Sequence, residues 1–147
     1  MDIKVKKLNE KAILPTRGSE YAAGYDLCAL ISNEEGKIEI QPHSTVKIET
    51  GLAFELPENT FAAIFARSGL ATKQGLRPAN CVGVCDCDYR GQYIVALHND
   101  SNESRIIENG ERVAQMVLMP YINMNFIETD ELSESKRNIS GFGSTGV

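Results

Sequence analysis

Two carboxylates, Asp86 and Asp88, stand two residues apart in the run Asn80-Cys81-Val82-Gly83-Val84-Cys85-Asp86-Cys87-Asp88-Tyr89-Arg90-Gly91. A second β-type run, Tyr93-Ile94-Val95-Ala96-Leu97, follows at once, so the stretch predicts a hairpin with acids at its bend. Residues i and i+2 of a regular strand share a face, which would bring both carboxylates together. Like charges that close need water, a cation or hydrogen-bond donors. One reading is a solvated polar tip. The other is a base or cation-holding acid beside a core, and the apolar flanks on both sides favour it.

Two further stretches suit phosphate. Arg67-Ser68-Gly69 ends an apolar run and combines a guanidinium, a hydroxyl and a residue that lets backbone approach closely. By itself it also fits an ordinary strand-ending turn. Gly141-Phe142-Gly143-Ser144-Thr145-Gly146 matches G-x-G-x-x-G in letters, but no helix or later acid follows, as a dinucleotide site requires, and no Lys follows, as a P-loop requires. What remains is glycine-rich backbone with hydroxyls and the nearby Arg137, able to wrap an anion, and Phe142, a flat face for a base. A disordered tail fits the same composition. Cys81, Cys85 and Cys87 lack paired C-x-x-C spacing, so buried thiols are expected rather than zinc. His43 and His98 have no evident nucleophile or metal partner.

The elements that must position these residues read as short strands. Residues 3–8, 37–40, 45–50, 52–56 and 112–119 alternate or run apolar between turn signals. Phe61 to Ala66 is a continuous apolar run and predicts a buried strand. Asp26 lies in a small-residue stretch leading into another strand, 105–107 form a further one, and Leu70 to Gln74 have room for one helical turn. Strands recurring every ~8–12 residues without a long helical period predict an all-β sandwich or barrel. Composition changes after about residue 128, so residues 1–130 are expected to form one β domain and 131–147 a flexible, glycine-rich C-terminal arm.

The chain has 147 residues and a net charge of −5, which bounds it to one ordinary core and argues against a general nucleic-acid footprint. The first residues lack an apolar export segment and no run reaches membrane-span length, so a soluble, cytoplasmic protein with reduced cysteines is expected.

Five ordered stretches resemble the motifs of trimeric dUTP diphosphatases: Ala23-Gly24-Tyr25-Asp26-Leu27, Ala66-Arg67-Ser68-Gly69-Leu70, Gly83 to Gly91, Gly110-Glu111-Arg112-Val113-Ala114-Gln115, and Gly141 to Gly146. The resemblance covers nearly the whole chain. It implies a distorted β jelly-roll or barrel-like subunit (the dUTPase-like β-clip), a homotrimer with active sites shared between subunits, and Mg2+-assisted hydrolysis of dUTP to dUMP and pyrophosphate. That reaction supplies dUMP and limits uracil in DNA. The resemblance further implies that Asp86 activates the water attacking the α-phosphorus. Tyr89 would pack under the deoxyribose and exclude a 2′-hydroxyl. Asn80 and the backbone around Val84, Cys85 and Ile94 would read uracil. Arg67, Ser68, Gly69 and Gln115 would bind phosphates, and Asp26 would meet the metal's water shell. Arg137, Phe142, Gly143, Ser144 and Thr145 would form the closing arm, with Phe142 over the base.

Some positions depart from the family's usual residues. Cys85 and Cys87 replace an Ile or Val and a small or polar residue, Glu111 replaces Asp, and Asn138-Ile139-Ser140 replaces a more glycine-rich lead into the last motif. Two rivals share the fold: a dCTP deaminase and a non-catalytic nucleotide-binding homologue. The first would carry a glutamate about where Ala96 stands, and the second would lack the acid or the arm.

Overall fold

The computed structural model describes residues 1–80, 82–136 and 138–139. In chain order its strands are β1 (Lys4–Lys7), β2 (Thr16–Arg17), β3 (Tyr25–Cys28), β4 (Lys37–Ile40), β5 (Thr45–Glu49), β6 (Leu52–Glu55) and β7 (Thr60–Phe65), followed by β8 (Leu76–Pro78), β9 (Gly83–Asp86), β10 (Ile94–Asn99), β11 (Arg105–Glu108) and β12 (Arg112–Pro120). One short helix, α1 (Ser68–Gln74), lies between β7 and β8. The all-β expectation holds. The helix begins two residues earlier than the apolar pattern suggests, and β2 and β8 are too short for periodicity to mark them.

The strands form four antiparallel groups among the described residues: β1 with β6, β11 with β4, β5-β10-β8, and the five-stranded β2-β3-β12-β7-β9. Sequence explains the layout. β4 (Lys-Ile-Glu-Ile) and β5 (Thr-Val-Lys-Ile-Glu) alternate and bury one face. β7 is apolar from Phe61 to Phe65, in keeping with its pairing on both edges, by β12 and by β9. Ile40, Ile48, Leu52, Leu76, Leu97 and Ile107 have no exposed surface, and each such side chain contributes roughly 1.5–3 kcal/mol by leaving water. One buried cluster joins residues from Ala12 to Met116.

A polar residue locks the end of β10. Asn99 is fully buried. Its amide donates to the carbonyls of Ile40 and Glu103 at 3.0 and 2.8 Å, and its Oδ1 accepts from Ser101 N–H and Oγ–H at 2.9 and 2.7 Å. The side chain thereby ties the end of β4 to backbone groups of the loop between β10 and β11.

After Pro120 the described residues form neither strand nor helix and are exposed. No helix among the described residues is long and apolar enough to cross a membrane.

Candidate active site

The predicted hairpin is corrected in one respect. β9 pairs with β7, while β10 pairs with β5 and β8. No ladder joins β9 to β10 among the described residues. The chain turns back after Asp88, but the two strands leave the turn for different sheets. The pattern of residues marks two strands and a bend; it does not reveal which partner each strand takes.

Where the strands part there is a cleft of about 260 Å3, lined by Val84, Cys85, Asp86, Tyr89, Gln92, Tyr93 and Ile94. Val84 and Ile94 are strongly exposed for apolar residues, at 60% and 48%. Both residues border the cleft. Asp86 is the last residue of β9 and is exposed, whereas Asp88 falls in the turn. Regular strand geometry therefore ends between the two acids, and they are not an i, i+2 pair on one face. The Asp86 carboxylate has no hydrogen bond or ion pair to another described residue.

Tyr89 is fixed beside Asp86. Its backbone N–H donates to the Asp86 carbonyl at 3.2 Å, and its hydroxyl donates to the Gln92 carbonyl, also at 3.2 Å. The ring folds onto Gly91 so closely that a Cβ there would lie 2.4 Å from the hydroxyl oxygen. Behind it Tyr93 is buried, its ring 6.1 Å from that of Tyr89 and 4.5 Å from that of Phe54. The Tyr93 hydroxyl faces the Cys85 sulfur without a hydrogen bond to it. Burial raises both their pKa values; for Cys85 the neighbouring Asp86 adds to the effect. These thiol and phenol groups stay neutral, which keeps the cleft floor apolar in character. Asn80 is exposed, its amide lies beside Gly83, and it is not among the residues that line the cleft.

A second cleft, of about 190 Å3, is lined by Gly18, Ala22, Gly24, Asp26, Arg67, Ser68, Gly69, Arg112 and Gln115. Asp26 is buried in β3. Its Oδ1 accepts from Arg67 Nε at 2.8 Å, and its Oδ2 from Arg112 Nη1 at 3.2 Å. Arg67 is separated from the end of β7 by Ala66 alone and directly precedes α1 as its N-cap, so both elements fix its backbone. Gln115 donates to the Ala66 carbonyl at 2.9 Å. It passes over Gly24 where any side chain would collide, since a Cβ would stand 2.4 Å from Gln115 Oε1. Burial raises the Cys28 thiol pKa, as does Asp26, against the opposing pull of Arg112 and Arg67. Arginine donors, a hydroxyl and close backbone make this cleft suited to phosphate oxygens.

Apart from Asn80, the chain thus gathers the described members of the expected site into two sets that share no lining residue. Asp86 opposes Phe61 at one end of β7, and Gln115 opposes Phe65 at the other. Four residues of strand put about 13 Å between these rungs. Arg137, Phe142, Gly143, Ser144 and Thr145 lie outside the described residues. Sequence reasoning passed over Gln92, Tyr93 and Arg112. Arg112 stands inside one of the quoted motifs, but strand alternation sends it to the face opposite Gln115; what reverses this is a local irregularity in β12.

Comparison with known proteins agrees with this geometry. The dUTPase family model matches residues 10–146. A deoxyuridine 5′-triphosphate nucleotidohydrolase of Desulfitobacterium hafniense is 48% identical over 135 residues, covering 91% of this chain and 87% of that protein. Another, of a Hydrogenobaculum species, is 44% identical over 147 residues, covering 100% and 99%. The structure of the Staphylococcus bacteriophage 80alpha dUTPase with dUpNHpp superposes with a TM-score of 0.86 at 27% identity, covering 99% of each chain. With both clefts built largely from the motif residues and the match running almost end to end, this chain belongs to the dUTPase family.

Proposed function

We propose that the protein hydrolyses dUTP to dUMP and pyrophosphate, with Asp86 as the base that activates the attacking water. The observation that carries this is the exposed Asp86 carboxylate, without a partner among the described residues, in the lining of the cleft between β9 and β10, with Tyr89 pinned beside it. On this reading a uracil enters the gap and meets the backbone of Val84, Cys85 and Ile94, with the Asn80 amide behind Gly83. Fixed backbone donors and acceptors suit uracil and mismatch cytosine, whose pattern differs. The Tyr89 ring packs under the sugar and leaves no space for a 2′-hydroxyl. Arg67, Ser68, Gly69 and Gln115 take the phosphates. Water attacks the α-phosphorus in line, its proton passes to Asp86, and pyrophosphate leaves.

The separation of the two clefts supports sites shared between subunits of a homotrimer. The attacking water must lie within about 3–3.5 Å of the phosphorus. Backbone rungs about 13 Å apart along β7 separate this chain's own Asp86 from its own phosphate cleft. A neighbour's second cleft facing this chain's first meets the requirement. We assign residues 1–130 to the β body. Residues 131–147 form the arm, with Arg137, Phe142, Gly143, Ser144 and Thr145 closing over base and phosphates and excluding water.

The donor set suits a magnesium ion held chiefly by the substrate. The described residues contain no cluster of three or more His, Cys, Asp or Glu able to cage a metal, and both Asp26 oxygens are engaged by arginines. Asp26 therefore fits a metal-bound water better than the metal itself, in keeping with the ion's retention of its waters. When bound, magnesium would neutralise charge on the phosphate oxygens. Three described cysteines are free thiols, which supports action in a reducing compartment such as the cytoplasm.

The test is pyrophosphate release from dUTP, dCTP, dTTP and UTP, with and without Mg2+, for the natural chain and Asp86→Asn. Selective dUTP turnover that falls by about 10²–10⁴ in the variant is expected. Near-normal turnover by Asp86→Asn would remove the assigned base, and ammonia release from dCTP would replace hydrolysis with deamination.

A further inference from the structure

We propose that Arg112 is a positioning residue of the phosphate cleft, delivered by an irregularity in β12 to occupy one oxygen of Asp26 so that Arg67 keeps a donor for the ligand. The proposal rests on the reading of this cleft as the phosphate half of the site.

Strand alternation places Arg112 and Gln115, three residues apart, on opposite faces. The observed register does otherwise. Gln115 opposes Asp26 and Ala114 opposes Leu27, but Arg112, not Val113, opposes Cys28. One extra residue is accommodated between Arg112 and Ala114, as in a β-bulge. Val113 and Ala114 consequently both take the core side and are buried at 1% and 0% exposure. Arg112 joins Asp26, Cys28 and Gln115 on the cleft side. Without the bulge it would oppose Ala29, a core residue, and a guanidinium would be aimed at the apolar interior.

The contact it makes there constrains Arg67. Arg112 Nη1 donates to Asp26 Oδ2, and Arg67 Nε donates to Asp26 Oδ1. Arginine and carboxylate otherwise favour a fork of two parallel bonds. With Oδ2 occupied, Arg67 reaches Asp26 through Nε alone, its Nη1 donates to the Arg112 carbonyl at 3.4 Å, and its Nη2 makes no hydrogen bond to another described residue. Vacating Oδ2 would let Arg67 close the fork and withdraw that donor from the cleft. Arg112 thus acts through Arg67 and Asp26, without requiring a phosphate contact of its own.

A double-mutant cycle tests this in the full chain, using Arg112→Ala, Arg67→Ala and the pair. The readouts are KM and kcat for dUTP, the Kd of inorganic tripolyphosphate by calorimetry, and Tm. Arg112→Ala is expected to raise both KM and Kd about tenfold, with kcat less affected. Arg112→Lys, which keeps a cation on Oδ2, should recover most of the loss. In the Arg67→Ala background, Arg112→Ala should change either quantity by less than about twofold. An equal effect in both backgrounds would overturn the proposal, because Arg112 would then act independently of Arg67; so would an Arg112→Ala protein with unchanged KM and Kd. If Arg112→Ala does not fold, Arg112→Gln carries the same cycle. Absence of dUTP turnover in the natural chain would defeat the hydrolase reading instead, and the tripolyphosphate cycle would still report on the clamp.

Discussion

Gly91→Ala isolates the part played by Tyr89. A Cβ at residue 91 would lie 2.4 Å from the Tyr89 hydroxyl oxygen, 2.5 Å from Cζ and 2.8 Å from Cε2. Favourable carbon contacts begin near about 3.5 Å, so the ring must retreat by about 1 Å. The φ angle of Gly91 is outside the left-handed region, so alanine imposes no backbone strain and the effect is confined to the ring. Retreat breaks the 3.2 Å bond to the Gln92 carbonyl, worth about 1 kcal/mol, and a side chain pushed off its rotamer adds about 0.5–1.5 kcal/mol. At this chain length such a loss lowers Tm by roughly 2–4 °C per kcal/mol. The functional consequence is larger, because a displacement of about 1 Å at a group that seats the sugar is worth on the order of 10²-fold in rate. The assay is kcat/KM for dUTP and UTP side by side, with thermal unfolding as control and Tyr89→Phe as the variant that loses the hydrogen bond but keeps the ring. A large fall for Gly91→Ala with a small one for Tyr89→Phe is expected. If Gly91→Ala retains kcat/KM for dUTP within about threefold and still rejects UTP, the argument that Tyr89 must lie against Gly91 fails.

Other outcomes follow from the same structure. Asp86→Asn and Arg67→Ala disable different halves of a shared site, so mixing the two inactive chains by unfolding and refolding should return activity, about a quarter of the natural level for random reassembly; no recovery would place both halves in one subunit. Asn99→Ala should cost about 3–4 kcal/mol in urea unfolding, since several buried backbone groups lose their partners together. A cost below 1 kcal/mol would mean water replaces the amide. Burial raises the pKa values of Cys28, Cys85 and Tyr93 in the folded state, so stability is fully present below the ordinary thiol pKa and declines as pH rises beyond about 8.5. Unfolding midpoints measured from pH 7 to 10 should fall, and Cys28→Ala with Cys85→Ala should flatten the decline.

The limits of the sequence reading are as physical as its successes. Alternation in β4 and β5 and the apolar run of β7 make their strands legible, because each has a fixed relation to core or solvent. Arg67, Asp86 and Tyr89 are legible because their neighbours form recognisable motifs. Three features escape. The parting of β9 and β10 depends on which distant strand outcompetes the other for each edge, a choice local residues do not record. The bulge at Val113 leaves no mark in a pattern read at period two, which by itself puts Arg112 on the face opposite Gln115. The distribution of site residues between two clefts depends on the register of β7 with β9 and β12, which only the assembled sheet defines.

The gap beside β9 also has a meaning for solubility. A strand with an unclaimed edge is a template on which another chain can add, and exposed apolar residues such as Val84 make that easier. Here the open edge is brief, it ends at Asp86, and Asp88 follows in the turn. Negative charges at the end of an edge repel an incoming strand, the role of a gatekeeper against aggregation. The carboxylate assigned to activating water would therefore also keep the vacant cleft from becoming a seed for strand addition, and Asp86→Asn should be watched for loss of solubility as well as loss of turnover.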